Sequence, residues 1–122
     1  MGLHILMAED DPDIQLVAGI ALRKAGFRVT IVNTGLELLR AVADARPDVV
    51  ILDWMMPDLD GPDTLERLRQ DERTKDLPVI FMTAKSQGFE VERGRALGAA
   101  GYIIKPFDVF KLGDQVNAIL GR

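Results

Sequence analysis

The sequence predicts a single α/β domain with a parallel sheet covered on both faces by helices, and three observations carry that prediction. Five short apolar runs recur along the chain: HILMA (4–8), RVTIV (28–32), DVVIL (48–52), PVIFM (78–82) and GYIIK (101–105). Each has the length and composition of a β-strand. Amphipathic segments of helical periodicity separate them, the pattern expected of repeated strand–helix units. Finally, 122 residues, 48% hydrophobic and 28% charged, suffice for one buried core, and no linker, repeat or low-complexity tract divides them.

The first run opens at His4, read as the entry to a strand; as the only histidine it is a poor metal or catalytic candidate. In 13–25, Ile14, Val17, Ala18, Ala21, Leu22 and Ala25 recur at helical spacing, and Gly26 supplies the stop. The second strand is followed by Asn33-Thr34-Gly35, ordinary turn chemistry, and then by a helix over 35–46 with Leu36, Leu39 and Ala43, ended by Pro47. The stretch VVILDWMMPDLDG (49–61) starts as a continuous apolar run, which suits a strand buried on both faces. Pro62 stands at a plausible first position of a helix over 62–71. The segment 87–98 is sparse in apolar residues, with Phe89, Val91, Ala96 and Leu97 among Glu90, Glu92, Arg93 and Arg95. The last helix is predicted over 108–120, with Asp108 as its N-cap. Parallel strands joined this way require right-handed crossovers.

Composition excludes several functions. Fifteen basic against nineteen acidic side chains give a net charge of −4, which disfavours a nucleic-acid surface. The absence of cysteine removes disulfides, thiol nucleophiles and thiolate metal sites, and fits a cytoplasmic protein. No apolar stretch approaches the roughly 20 residues needed to span a bilayer, so membrane insertion is not expected. The start, MGLHILMAEDD, has no basic leader and carries Leu6 where a myristoylation signal wants Ser or Thr, so no targeting segment is expected.

In open α/β sheets, ligands bind beyond the carboxyl ends of the strands. Glu9-Asp10-Asp11 follow the first strand, Asp53 the third and Thr83 the fourth, while the fifth ends in Lys105-Pro106. Carboxylates gathered at one edge call for a hard cation with oxygen ligands, and Mg²⁺ is the natural one. Lys105 offers a point charge for a phosphate oxygen and Thr83 a hydroxyl donor. Carboxylates, Lys and Thr around a divalent ion are what phosphoryl transfer requires. Taken singly, each has a plainer reading: Asp11 or Asp13 as helix N-terminus chemistry, Asp53 as a loop cap, Lys-Pro as a loop.

Four ordered motifs then point to a family. ILMAEDDPDI, VVILDWMMPDLDG, PVIFMTAK and LGAAGYIIKPF, in that order from about residue 3 to 120, resemble the receiver domain of two-component response regulators. The resemblance implies a (βα)5 flavodoxin-like fold with strand order 2-1-3-4-5, and Asp53 as the phosphorylated residue. It further implies that Glu9 and Asp10 hold Mg²⁺ with Asp53 and the backbone carbonyl of Met55, Asp10 directly and Glu9 through a water. Thr83 and Lys105 would contact the phosphoryl group, and Pro106 would follow a cis peptide bond. Glu9 stands where aspartate is commoner in the family, and still supplies a carboxylate. Trp54 reads as a packing or surface aromatic, and Met55 and Lys85 as positions that tune phosphoryl lifetime.

The family's switch implies that Thr83 moves toward the phosphoryl group and that Tyr102 turns inward behind it, reshaping the face of the fourth helix, fifth strand and fifth helix. Phe89, Val91, Phe107, Val109 and Phe110 lie around that face. The implied partners are a sensor histidine kinase or phosphotransfer protein and a downstream protein or output domain, with a homodimer through the same face as an option. No enzymatic turnover is expected beyond self-phosphorylation from a donor and self-dephosphorylation. The chain ends at Gly121-Arg122, as either a stand-alone regulator or a receiver of a longer protein would. Two rivals stand beside this reading. One is a phosphorylation-independent receiver scaffold. The other is an Mg²⁺-dependent phosphohydrolase, disfavoured because Met55 occupies the place of the second acid such enzymes use. A nucleotide- or flavin-binding module is weaker still, since GRALGAAG lacks the spacing and position of a phosphate-cradling loop.

Overall fold

The computed structural model describes residues 2–84 and 89–122. Five strands, β1 (His4–Ala8), β2 (Arg28–Val32), β3 (Val49–Asp53), β4 (Val79–Thr83) and β5 (Gly101–Ile104), pair in parallel in the order β2-β1-β3-β4-β5. They alternate with helices α1 (Pro12–Lys24), α2 (Gly35–Asp44), α3 (Gly61–Gln70), α4 (Phe89–Ala96) and α5 (Leu112–Leu120). The predicted fold class and strand order are therefore those observed.

Side-chain alternation along the strands builds two cores. Ile5, Met7, Val49, Ile51, Ile80, Met82 and Ile103 point to the layer holding Ala18 and Leu22 of α1 and Leu112 and Val116 of α5. The intervening Leu6, Val50, Leu52, Val79 and Phe81 point to Leu38 and Val42 of α2 and Leu65 and Leu68 of α3. Every residue of β3 and β4 is buried, whereas the edge strand β2 is not, as expected for the middle and the rim of a doubly covered sheet. At about 1.5–3 kcal/mol per buried aliphatic side chain, these two layers dominate the drive to fold.

Local chemistry sets the boundaries. Asp11 caps α1 by accepting from the backbone N–H groups of Asp13 and Ile14 at 2.8 and 3.4 Å, and Gly26, at φ +99°, ends the turn beyond it. Thr34 and Asp60 cap α2 and α3 in the same way. Three predicted strands shift at a boundary by one residue, and the helix predicted over 35–46 ends at Asp44. The third and fourth strands run one residue later than the apolar runs suggested: Asp48 donates its N–H to His4 carbonyl at 2.9 Å, but its carboxylate rather than a backbone carbonyl takes the His4 N–H at 2.7 Å, and Pro78 has no N–H to pair. Asp53 is thus the last rung of β3, in register with Met82, rather than the first loop residue. The fifth strand ends at Ile104, before Lys105.

The largest correction concerns α5. Asp108 does not cap it; its carboxylate accepts from Phe110 N–H at 2.8 Å and its carbonyl from Lys111 N–H at 3.0 Å, closing a separate turn. The helix begins only at Leu112, after Lys111, which makes no side-chain cap. An Asp that satisfies its own turn is unavailable to the helix.

Candidate functional site

The carboxyl ends of β1, β3, β4 and β5 meet at one edge of the sheet. Glu9, the residue after β1, is anchored by its own N–H to Val32 carbonyl at 3.0 Å and is fully buried. Its carboxylate accepts from Asp11 N–H at 3.1 Å on one oxygen and from Lys105 Nζ at 2.9 Å on the other. Asp53 is 8% exposed, held by β3 behind and open to the cleft in front. One of its oxygens lies 3.2 Å from Lys105 Nζ and accepts from Met55 N–H at 3.4 Å. Asp10 stays exposed, yet carboxylate oxygens of Glu9, Asp10 and Asp53 all fall within 4.8 Å of one another. Thr83 is buried at the end of β4, and its carbonyl accepts from Lys105 N–H at 2.8 Å, which ties the ends of β4 and β5 together. The Lys105–Pro106 peptide bond is cis.

In front of Asp53 lies an open cleft of about 620 Å³, lined also by Trp54, Met55, Met56, Asp60, Thr83, Ala84 and Lys105. The loop from Trp54 folds back so that Gly61 N–H reaches Trp54 carbonyl at 2.9 Å. A Cβ at Gly61 would stand 2.6 Å from the Asp53 carbonyl, so only glycine lets this loop close on the strand end. Trp54 is a packing residue, its ring 4.8 Å from that of Phe81. Tyr102 donates its hydroxyl to Val91 carbonyl at 2.8 Å and stacks on the other side of Phe81 at 5.9 Å, 25° from parallel. Lys85 and the side chain of Phe89 lie outside the described residues.

Charge at the edge is unbalanced. Burial pushes the Glu9 carboxyl up to about 7, with Asp53 adding to the rise, against the lowering pull of Lys105 and Asp11 N–H. Burial works to lower the Lys105 ammonium, but its bond to Glu9 and the field of Asp53 outweigh that and hold it above its ordinary value. One ammonium does not neutralise three carboxylates. A hard divalent cation among Glu9, Asp10 and Asp53 suits the donor set, all carboxylate oxygen, and its charge would favour the ionised form of Glu9 that burial opposes.

A pH dependence follows. Because the folded protein raises the Glu9 carboxyl from 4.5 to about 7, it binds that proton more tightly than the unfolded chain does. The contribution is fully present below 4.5 and disappears as pH rises through about 7. In EDTA, urea unfolding should lose on the order of 2–3 kcal/mol from this group between those limits, a loss absent from Glu9→Gln. Parallel curves for the two proteins would refute it.

The comparisons with known proteins decide the family. The response regulator receiver domain profile matches residues 5–117. The chain belongs to that family. Among curated relatives, this receiver is 39% identical over 119 residues to the DNA-binding dual master transcriptional regulator RpaA of a Synechocystis strain, covering 98% of this chain and 49% of RpaA. The receiver thus spans about half the length of the curated relatives it matches. Among solved structures, chemotaxis protein CheY4 of Vibrio cholerae superposes with a TM-score of 0.92 at 27% identity, covering 98% of this chain and 99% of that one. The receiver domain of sensor histidine kinase PA1611 of Pseudomonas aeruginosa, with a magnesium ion coordinated in its active site cleft, gives 0.88 at 31% identity over the full length of both chains. Among the described residues of the receiver, no helix is long and apolar enough to cross a membrane.

Sequence reasoning did not single out every residue that shapes this receiver's site. Gln15 donates to the Glu9 carbonyl and, at 2.7 Å, to Asn33 Oδ1, tying α1 to the acidic edge. Gly94 faces Tyr102, where a Cβ would stand 2.1 Å from the hydroxyl. Neither carries a sequence signal beyond its helical position.

Proposed function

We propose that this receiver is a phospho-acceptor switch in which Asp53 takes a phosphoryl group from the phosphohistidine of a kinase or phosphotransfer protein, or from a small phosphodonor. The observation that carries this reading is Asp53 itself: nearly buried on a rigid strand end, beside one ammonium and two further carboxylates, facing an open cleft. An Asp53 oxygen attacks phosphorus in line and a P–O bond forms, while the P–N bond to the donor imidazole breaks or, with a small phosphodonor such as acetyl phosphate, the P–O bond to the departing acetate breaks. Glu9, Asp10, Asp53 and the Met55 carbonyl would hold Mg²⁺, as the magnesium-bound PA1611 receiver encourages. When bound, Mg²⁺ supplies neutralisation of charge on the transferring group.

Lys105, already placed between Glu9 and Asp53, then pairs with a phosphoryl oxygen, and the Thr83 hydroxyl donates to another. The new anion draws Thr83 forward, vacating space behind it for Tyr102, whose hydroxyl leaves Val91. The α4-β5-α5 face changes shape and controls a downstream protein or an attached output domain. Water attacking the phosphorus, with cleavage of the same P–O bond, returns Asp53 to its free carboxylate.

Intact mass after incubation with acetyl phosphate tests this. A single phosphoryl adduct that requires Mg²⁺ and is lost in Asp53→Asn is the expected result. Wild type without an adduct from either acetyl phosphate or a phosphorylated histidine donor would favour the scaffold reading, and Asp53-dependent turnover of small phosphate esters would favour a hydrolase.

A further inference from the structure

We propose that the groove between the C-terminal ends of α2 and α3 is a binding site for a small organic anion. Its apolar body would lie on the groove floor, and its phosphate or carboxylate would meet Arg46 and Arg67. Both helices end at the strand entries, so this groove lies at the end of the sheet opposite Asp53.

The cavity measures about 370 Å³, a size that suits a small ligand rather than a protein segment. Its floor is the core itself: Val42 of α2 and Leu68 of α3 are 6% and 2% exposed, with Leu39 beside them. The turn over 71–74 forms the far wall and is rigidly held. The Asp71 carboxylate accepts from Arg73 N–H at 2.9 Å and the Asp71 carbonyl from Thr74 N–H at 3.0 Å. The buried Thr74 hydroxyl donates to Leu68 carbonyl at 2.7 Å. Arg46 then spans from the end of α2 to this turn, donating Nη1 to the Arg73 carbonyl. A groove fixed by such bonds has its shape before a ligand arrives.

Charge says what it would take. Four charged side chains line the groove: Arg46, Arg67, Arg73 and Asp71. Arg73 and Asp71 cancel each other in an ion pair at 3.0 Å. Arg46 and Arg67 make no ion pair among the described residues. Two uncompensated guanidinium groups therefore share one cavity, in a chain whose net charge is −4. Helix-end chemistry does not account for them. Arg46 lies beyond the end of α2 at Asp44, and the Leu68 carbonyl near the end of α3 is already taken by the Thr74 hydroxyl and Asp71 N–H. Guanidinium forks match phosphate or carboxylate through paired N–H donors. A bare inorganic ion would leave the apolar floor uncovered, and a neutral body would leave both cations unused.

Amide chemical-shift titration with 1-naphthyl phosphate in EDTA tests the proposal, with 1-naphthol and inorganic phosphate as the two halves of the probe. Saturable shifts are expected at the ends of α2 and α3 and in the 71–74 turn, with a Kd of about 1 mM or tighter. Each half alone should bind at least about tenfold more weakly. Arg46→Gln and Arg67→Gln should each weaken the probe about fivefold, and the double variant more than either. Both side chains are exposed, so thermal midpoints should not move. Arg67→Lys, which keeps the charge without the fork, should fall between wild type and Arg67→Gln. Naphthol bound as tightly as its phosphate, or glutamine variants that bind like wild type, would overturn the guanidinium role and the proposal with it. So would shifts centred on Lys105 or on α1 and α5, which would place the anion elsewhere, and so would the absence of any saturable shift.

Discussion

Phe81→Ala should cost this domain about 3–5 kcal/mol of stability. The side chain is wholly buried in the middle of β4, where truncation leaves a cavity that a doubly covered sheet cannot easily collapse. It is also the middle ring of three, tilted 59° against Trp54 and stacked on Tyr102. Each such aromatic pair adds about 0.5–1.5 kcal/mol beyond burial. The effect reaches the site because Trp54 follows Asp53 directly and Tyr102 sits in β5 two residues before the strand end. Trp54 is the only tryptophan, so its fluorescence reports both unfolding and the local loss of packing. Phe81→Leu, which keeps volume near the Trp54 ring, should lose less. A Phe81→Ala cost below about 1 kcal/mol in urea would mean that the ring triplet is not a structural link between the two strand ends.

Phe81 also marks where sequence reading succeeds and where it stops. The run PVIFM identifies a buried strand without saying which of its residues faces which layer, and the stack with Trp54 and Tyr102 depends on pairing between strands far apart in the chain. Asp53, Thr83 and Lys105 were legible because a polar residue closing an apolar run is conspicuous and because topology gathers such ends at one edge. Their partners were not. Lys105 meets Glu9 across 96 positions of sequence, and nothing local predicts which of the three consecutive acids after β1 it will choose. Burial decides, leaving Asp10 in solvent and Asp11 on the cap of α1. Asp108 failed for a different reason. Its residue type suits a helix cap and a turn equally, and the hydrogen bond to Phe110 N–H selects the turn.

The pairing of Lys105 with Glu9 yields the second large effect. Lys105→Ala removes the ammonium 2.9 Å from Glu9 and 3.2 Å from Asp53. Of the influences on Glu9, burial raises its carboxyl most and the bond from Lys105 is the strongest opposing one, so the variant's Glu9 should titrate above the wild-type value of about 7. At pH 8 the variant must either bury an unpaired carboxylate or carry a proton that solvent withholds. Breaking a buried pair costs about 3–5 kcal/mol, and since Lys105 retains some solvent contact the loss here should be nearer 2–3 kcal/mol. At pH 5 Glu9 is already neutral in both proteins, so the deficit should shrink by half or more. A divalent cation would replace the missing charge, and millimolar Mg²⁺ at pH 8 should recover most of what EDTA exposes. Urea unfolding of both proteins at the two pH values, with Mg²⁺ and with EDTA, reads all of this at once. A deficit of equal size at pH 5 and pH 8, untouched by Mg²⁺, would show that Lys105 contributes its aliphatic stem to packing and that its charge does not compensate Glu9.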